Sequence, residues 1–189
     1  DYISRNSNKE LLAANINFFD EIFFRTKNVK TILELGANIG INIRAINSLL
    51  PNSETSAVEI NSKAFEQLKS ACTGEAYLSS ILDHGAKSKK RYDFIFTKGV
   101  LIHINPDDLQ KVYEVMYKLS KKYICVAEYY NPSPMAIEYR GEKNKLFKRD
   151  FAGELIDKYK DLELIDYGFK YRRDNSYPQD DITWFLLKK

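Results

Sequence analysis

Glu34, Gly36 and Gly40 stand together in "ILELGANIG", residues 32–40, and Glu59 closes a second apolar run, "TSAVEI", nineteen residues after Gly40. An apolar run that ends in an acid and then in glycine-punctuated residues reads as a strand opening into a ligand cradle. Gly36 lets the chain turn tightly, and Gly40 lets the next helix start close to the ligand. Ala37 and Asn38 lie between them, and Asn38 stands where a third glycine is expected. Asparagine tolerates the left-handed region better than most residues. A dinucleotide would rest its pyrophosphate on the helix N-terminus and would want G-x-G-x-x-G with no acid before it. Here the spacing is G-x-x-x-G, and Glu34 would repel a diphosphate. A ligand with a cationic head fits better. S-adenosylmethionine carries an ammonium and a sulfonium and no phosphate. Glu59 can accept both hydroxyls of an adenosine ribose. Nicotinamide enzymes use the same device, so Glu34, the spacing and Glu59 discriminate only together, and a lone GxxxG is weak evidence.

Other chemistry-bearing residues fall later. His103 follows the fourth apolar run; its ordinary pKa of about 6.5 suits a base at neutral pH, and the alternative is a cap on the loop "HINP". Glu128 ends the fifth run, where it could bind an acceptor amine, take a proton, or pair with the segment that follows. Tyr129, Tyr130, Tyr139 and Arg140 combine aromatic faces with a guanidinium, which suits a sugar, a nucleotide or a carboxylate; the alternative is packing. Lys143, Lys145, Lys148 and Arg149 form a basic run, read as a solvated face or as a phosphate contact.

The elements that must position these residues follow from periodicity. Residues 7–27 repeat Leu11, Leu12, Ile16, Phe19, Ile22 and Phe23 at helical spacing. "VKTILEL", "TSAVEI", "EAYLSSI", "RYDFIFTK" and "YICVAEYY" read as strands. "INIRAINSLL", "SKAFEQLKSAC" and "PDDLQKVYEVMYKLSKK" read as helices, with Pro51 and Gly74 as stops and Pro106 in a first turn. This alternation predicts an α/β fold with a mostly parallel sheet. Residues 130–148 break the rhythm and read as a long loop or lid over the working edge. A helix at "RDFAGELIDKYK" and two strands, "LELIDYGFKY" and "DDITWFLLKK", follow, the strands joined by the hairpin-like "RRDNSYPQ". The expectation is one domain over 1–189, with an N-terminal helical lid at 1–28 and a substrate-side insertion at 130–150.

Composition narrows the class. Net charge is +3, from 29 basic and 26 acidic residues, which demands neither nucleic acid nor an anionic membrane as partner. Cys72 and Cys125 are far apart and set among apolar neighbours, so free thiols and a reducing cytoplasm are expected. Two Cys and two scattered His offer no zinc spacing, so no metal is expected. No apolar run approaches the ~20 residues of a membrane span.

On Glu34, Gly36, Gly40 and Glu59 the chain resembles class I S-adenosylmethionine-dependent methyltransferases along nearly its whole length. The resemblance implies a Rossmann-like fold with a seven-stranded, mostly parallel sheet, helices on both faces and an antiparallel last strand. It implies Ile60 beside the adenine, Ser80 and Ile81 as adenine contacts, and Thr97, Lys98 and Gly99 along the methionine part of the cofactor. The family's usual acid is replaced by Ser80, with Asp83 three residues on. "YISRN", "LELGANIG", "GVLIHINPDDL" and "EYYNPSP" with "YRG" resemble, more narrowly, methylases associated with pseudaminic acid biosynthesis; by that resemblance Tyr2 and Arg5 touch the cofactor's carboxylate end.

The expected function is methyl transfer to a small sugar-like or nucleotide-sugar acceptor, on O or N, leaving S-adenosylhomocysteine. His103 and Glu128 are the catalytic candidates, and Tyr129, Tyr130, Tyr139 and Arg140 the acceptor-binding ones. The competing readings are a methyltransferase for RNA or protein, a non-catalytic cofactor-binding module, and a nicotinamide-dependent oxidoreductase.

Overall fold

The computed structural model describes residues 9–139 and 142–189, and the side chains of 137–146 lie outside the description. The first element, α1 (Lys9–Phe23), buries Ala14, Phe18, Phe19, Ile22 and Phe23 at helical spacing. It leads into β1 (Thr31–Leu35), α2 (Ile41–Leu49) and β2 (Glu54–Glu59). Then come α3 (Ser62–Leu68), β3 (Ala76–Leu78), α4 (Ile81–Lys87) and β4 (Tyr92–Lys98). A 3-10 turn (Leu101–His103), α5 (Pro106–Leu119) and β5 (Ser120–Glu128) follow. The chain closes with β6 (Met135–Tyr139), β7 (Glu142–Lys148), α6 (Phe151–Lys158), β8 (Glu163–Lys170) and β9 (Ile182–Lys188).

Seven strands form one sheet in the order β3-β2-β1-β4-β5-β9-β8. From β3 to β5 every pairing is parallel, and β9 runs antiparallel to both β5 and β8. The order reverses between β1 and β4, so the turns after these strands diverge and leave a crevice at their carboxyl ends. The fold is therefore the one expected: α/β, mostly parallel, with an antiparallel last strand.

Burial on both faces explains the continuous apolar runs of β1, β4 and β5. On one face Leu109, Val112, Tyr113 and Met116 of α5 and Phe151 and Leu155 of α6 pack on Leu33, Ile95, Ile124 and Leu187. On the other, Phe18, Phe19 and Ile22 of α1 and Ala45 and Ile46 of α2 pack on Ile32, Phe94, Phe96 and Trp184. The helix starts are fixed by side chains that accept otherwise unpaired N–H groups. Asn61 caps α3, Ser80 caps α4, Asn105 caps α5 ahead of Pro106, and Asp150 caps α6.

The structure departs from the expected elements in two places. Residues 81–87 form α4, which the sequence reading passes over. Residues 130–148 are not a long loop: β6 and β7 pair antiparallel as a separate two-stranded hairpin.

Candidate functional site

The turn after β1 has three left-handed residues: Gly36 at φ 80°, Asn38 at φ 50° and Gly40 at φ 80°. Asn38 thus occupies the conformation its type suits. A Cβ on Gly36 would lie 2.7 Å from Val100, so the glycine lets this turn meet the loop after β4. Gly40 has a different reason from the one expected. It starts α2, and a Cβ there would lie 2.8 Å from both Leu68 and Ala71. Its bareness brings α2 against α3 and the residues after it, and Gly40 does not itself line the cleft.

The turn opens into a cleft of about 670 Å³. Gly36, Asn38, Glu59, Ile60, Ser80 and Ile81 line it, together with Gly99 and His103. Glu59 organises one wall. One carboxylate oxygen accepts the Asn38 N–H at 2.7 Å and the other accepts the Asn61 N–H at 2.7 Å. The carboxylate is oriented by the turns after β1 and β2 at once, and each oxygen retains a lone pair. Ile60 is 72% exposed beside it, an apolar side chain held open to the cleft.

Glu34 is fully buried. One carboxyl oxygen accepts from Asn42 Nδ2 at 2.6 Å, and the other has no hydrogen-bond partner. Burial pushes its pKa from 4.5 to about 8, against the Asn42 hydrogen bond and the Lys98 charge. Lys98, at the end of β4, has its ammonium 5.4 Å from the Phe18 ring centroid. Burial holds its pKa below the ordinary 10.5, opposed by Asp180, Glu34 and Glu128. The second Glu34 oxygen is buried without a partner and Glu34 does not line the cleft, so the fit to S-adenosylmethionine rests on Glu59, Ile60 and the turn of Gly36 and Asn38. Thr97 is fully buried in β4, whereas Gly99, at φ 67°, has open space where a Cβ would stand.

Glu128 is not in the cleft wall. It is 2% exposed, and its oxygens accept the N–H groups of Val100 at 3.1 Å, Leu101 at 3.0 Å and Ile102 at 3.4 Å. Burial pushes its pKa up to about 7, with these N–H bonds pulling the other way. The geometry is that of an anchor for the loop after β4, where the sequence reading has an acceptor-binding or proton-taking acid. That loop carries His103, exposed at the end of the 3-10 turn and lining the cleft. Ser80 faces the cleft, but its hydroxyl accepts the Asp83 N–H at 3.0 Å and lies 2.6 Å from the Asp83 carboxylate. Asp83 is thereby committed to the start of α4.

Tyr129 is half-buried with the Lys148 ammonium 5.2 Å from its ring centroid. Tyr130 is 42% exposed and packs on Phe185 at 5.7 Å. Both flank the entry to the β6–β7 hairpin. Tyr2, Arg5 and Arg140 and the side chains of Tyr139, Lys143 and Lys145 lie outside the described residues.

No protein-family model matches the chain, and no curated protein matches it. Solved structures do. The N-methyltransferase NodS from Bradyrhizobium japonicum superposes with a TM-score of 0.71 at 10% identity, covering 97% of this chain and 98% of that one. A S-adenosylmethionine-dependent methyltransferase of the DUF858 family from Leishmania major gives 0.71 at 16% identity, covering 98% and 76%. The 1,6-didemethyltoxoflavin-N1-methyltransferase of Burkholderia thailandensis, solved with 1,6-didemethyltoxoflavin and S-adenosylhomocysteine, gives 0.69 at 11%, covering 98% and 80%.

The chain has the class I methyltransferase fold. Within this methyltransferase fold the cleft also takes Lys63, Leu82, Asn105, Asp108 and Val112 into its lining, none of which the sequence reading singles out. Asn105 and Asp108 open α5 immediately after "HI", so adjacency to His103 was the available signal. Lys63 and Leu82 arrive only through the packing of α3 and α4. Among the described residues no group of three or more His, Cys, Asp or Glu could hold a metal ion, and no helix is long and apolar enough to cross a membrane. Neither cysteine is in a disulfide; Cys72 is half-buried and Cys125 buried.

Proposed function

We propose that the chain is an enzyme that transfers a methyl group from S-adenosylmethionine to a small-molecule acceptor. One observation carries the reading: Glu59 is fixed by two backbone donors in a cleft wall, beside exposed Ile60 and the left-handed turn of Gly36 and Asn38. That wall fits an adenosine, with Glu59 toward the ribose hydroxyls and Ile60 along the base. Glu34 is assigned to the ammonium end through its unpartnered oxygen, which is buried outside the cleft lining. Ser80 and Ile81 are assigned to the adenine side and Gly99 to the methionine side; Thr97 and Lys98, expected beside Gly99, do not line the cleft. When bound, S-adenosylmethionine supplies an electrophilic methyl on a sulfonium.

The chain's own residues then have three tasks. They align the acceptor, exclude water and remove a proton from a hydroxyl or ammonium acceptor. His103 is the cleft residue suited to the last task. Glu128 serves it indirectly, by holding the loop from Val100 to Ile102 that presents His103. The finer reading of the acceptor is a sugar or nucleotide sugar. Its support is the sequence likeness to pseudaminic-acid-associated methylases, and the tyrosines at the hairpin entry, which offer flat faces of the kind sugars pack on. That the toxoflavin enzyme of this fold acts on a small molecule supports the coarser reading.

Calorimetric titration with S-adenosylmethionine, with NAD as control, tests the cofactor. Saturable binding of S-adenosylmethionine alone is expected. Binding of NAD in preference, or of neither, would overturn the reading.

A further inference from the structure

Among the described residues, five of the eleven exposed large apolar side chains lie together at one edge of the sheet. Leu164, Ile165, Tyr167, Phe169 and Tyr171 are 46%, 38%, 64%, 56% and 47% exposed, and all lie on β8 or immediately after it. β8 is the last strand of the sheet, with β9 on one side and no strand on the other among the described residues. An apolar edge strand of eight residues is a template for pairing that folded proteins cover or blunt.

The charge pattern along the strand indicates what covers it. About Gly168 the sequence "DYGFK" is a palindrome of opposite charge: Asp166 lies two residues before the glycine and Lys170 two after, with Tyr167 and Phe169 between them. In an isologous two-fold contact, residues equidistant from the axis face each other. An axis at Gly168 therefore sets Asp166 against the Lys170 of a second copy, Tyr167 against its Phe169, and Ile165 against its Tyr171. Every such pair is favourable: opposite charges in one case, ring on ring or apolar side chain on ring in the others. Arg25 holds Asp166 at 2.6 Å and Glu21 holds Lys170 at 2.5 Å, so α1 already orients both charges.

The apolar side chains of the strand supply about half of a standard interface face. Five side chains about half exposed present on the order of 400 Å², against about 800 Å² per partner in a standard interface. The stems of Arg172 and Arg173, just beyond the strand, are placed to add to it.

We propose that this chain forms a two-fold dimer through antiparallel apposition of β8 with the β8 of a second copy, centred on Gly168. The cleft is lined from the carboxyl ends of β1, β2 and β4, and β5 and β9 stand between β4 and β8, so the contact leaves it open and both copies present their sites.

The test is the molar mass of the full chain in solution, by sedimentation over a range from micromolar to hundreds of micromolar, with helicity checked for each variant. The wild type is expected to be a dimer. Phe169→Glu, a change at an exposed side chain, is expected to give a monomer with unchanged helicity. Asp166→Lys alone and Lys170→Glu alone place like charges opposite each other and should weaken the dimer at least tenfold. The double swap, made together with Arg25→Glu and Glu21→Lys so that the pairs with α1 are kept, restores opposition across the axis and should recover it. A monomeric wild type over the whole range overturns the proposal, as does a dimer that Phe169→Glu leaves intact. Failure of the double swap to recover the dimer while both single variants dissociate overturns the axis at Gly168.

Discussion

Glu59 and His103 face the same cleft with opposite standing. Glu59 is locked by two N–H donors at 2.7 Å, whereas His103 stands exposed on a 3-10 turn. Glu59→Ala removes the acceptor for both donors and for a ribose. Loss of two charge-assisted hydrogen bonds, at about 1.5 kcal/mol or more each, predicts a fall in S-adenosylmethionine affinity of roughly 100-fold, read by titration calorimetry. An unchanged affinity would move the ribose elsewhere. His103→Ala should leave that affinity intact and lower turnover by about 10² or more if the imidazole takes the proton. The assay is single-turnover methyl transfer to an acceptor found by screening; wild-type rates would leave His103 as a wall residue.

At the scale of elements, short caps and bare glycines decide where the walls stand. Ser80→Ala removes the cap of α4 and should cost about 1 kcal/mol, with a lower melting temperature in thermal unfolding. Gly40→Ala forces a left-handed, non-glycine residue and a methyl into Leu68 and Ala71. It should destabilise by ~1–2 kcal/mol or more while leaving cofactor affinity per folded molecule unchanged. A specific loss of affinity at full stability would return Gly40 to the ligand. Element identity was legible wherever burial imposed a period. Four of the five apolar runs became β1, β2, β4 and β5 because parallel strands buried on both faces leave little room for polar residues; β3 is an edge strand with Leu78 52% exposed. "ILDHGAK" was not legible as α4. It is seven residues with a glycine inside, too short for a helical repeat, and it is stabilised by the Ser80 cap and by Gly85 fitting against Val115. The hairpin of β6 and β7 was hidden by Pro132, Pro134 and Gly141, which read as loop. In the candidate site, Glu59 was legible because it terminates β2; Glu34 lies inside β1, one residue before its end, and outside the cleft lining. The inward role of Glu128 was not legible, since it depends on how the loop after β4 folds back over β5.

The whole molecule carries buried titratable groups with opposed demands. Glu34 and Glu128 have pKa values raised to about 8 and about 7. Between pH 4.5 and those values the unfolded chain loses protons that the folded chain keeps, so these two groups make stability fall as pH rises. His84 is 6% exposed, and burial holds its pKa below 6.5. The unfolded chain binds a proton first, so below pH 6.5 His84 makes stability fall as pH falls. Thermal unfolding from pH 5 to 9 should therefore show the Glu34→Gln variant gaining on the wild type as pH rises to about 8, and His84→Gln gaining as pH drops below 6.5. Parallel curves would remove these groups as the cause. The double tether on Glu59 has a consequence for how this sequence can drift. An aspartate there is one methylene short of spanning the N–H groups of Asn38 and Asn61, and a glutamine has only one oxygen to offer them. A library of all substitutions at position 59, selected for folding alone with no cofactor demanded, should still return glutamate.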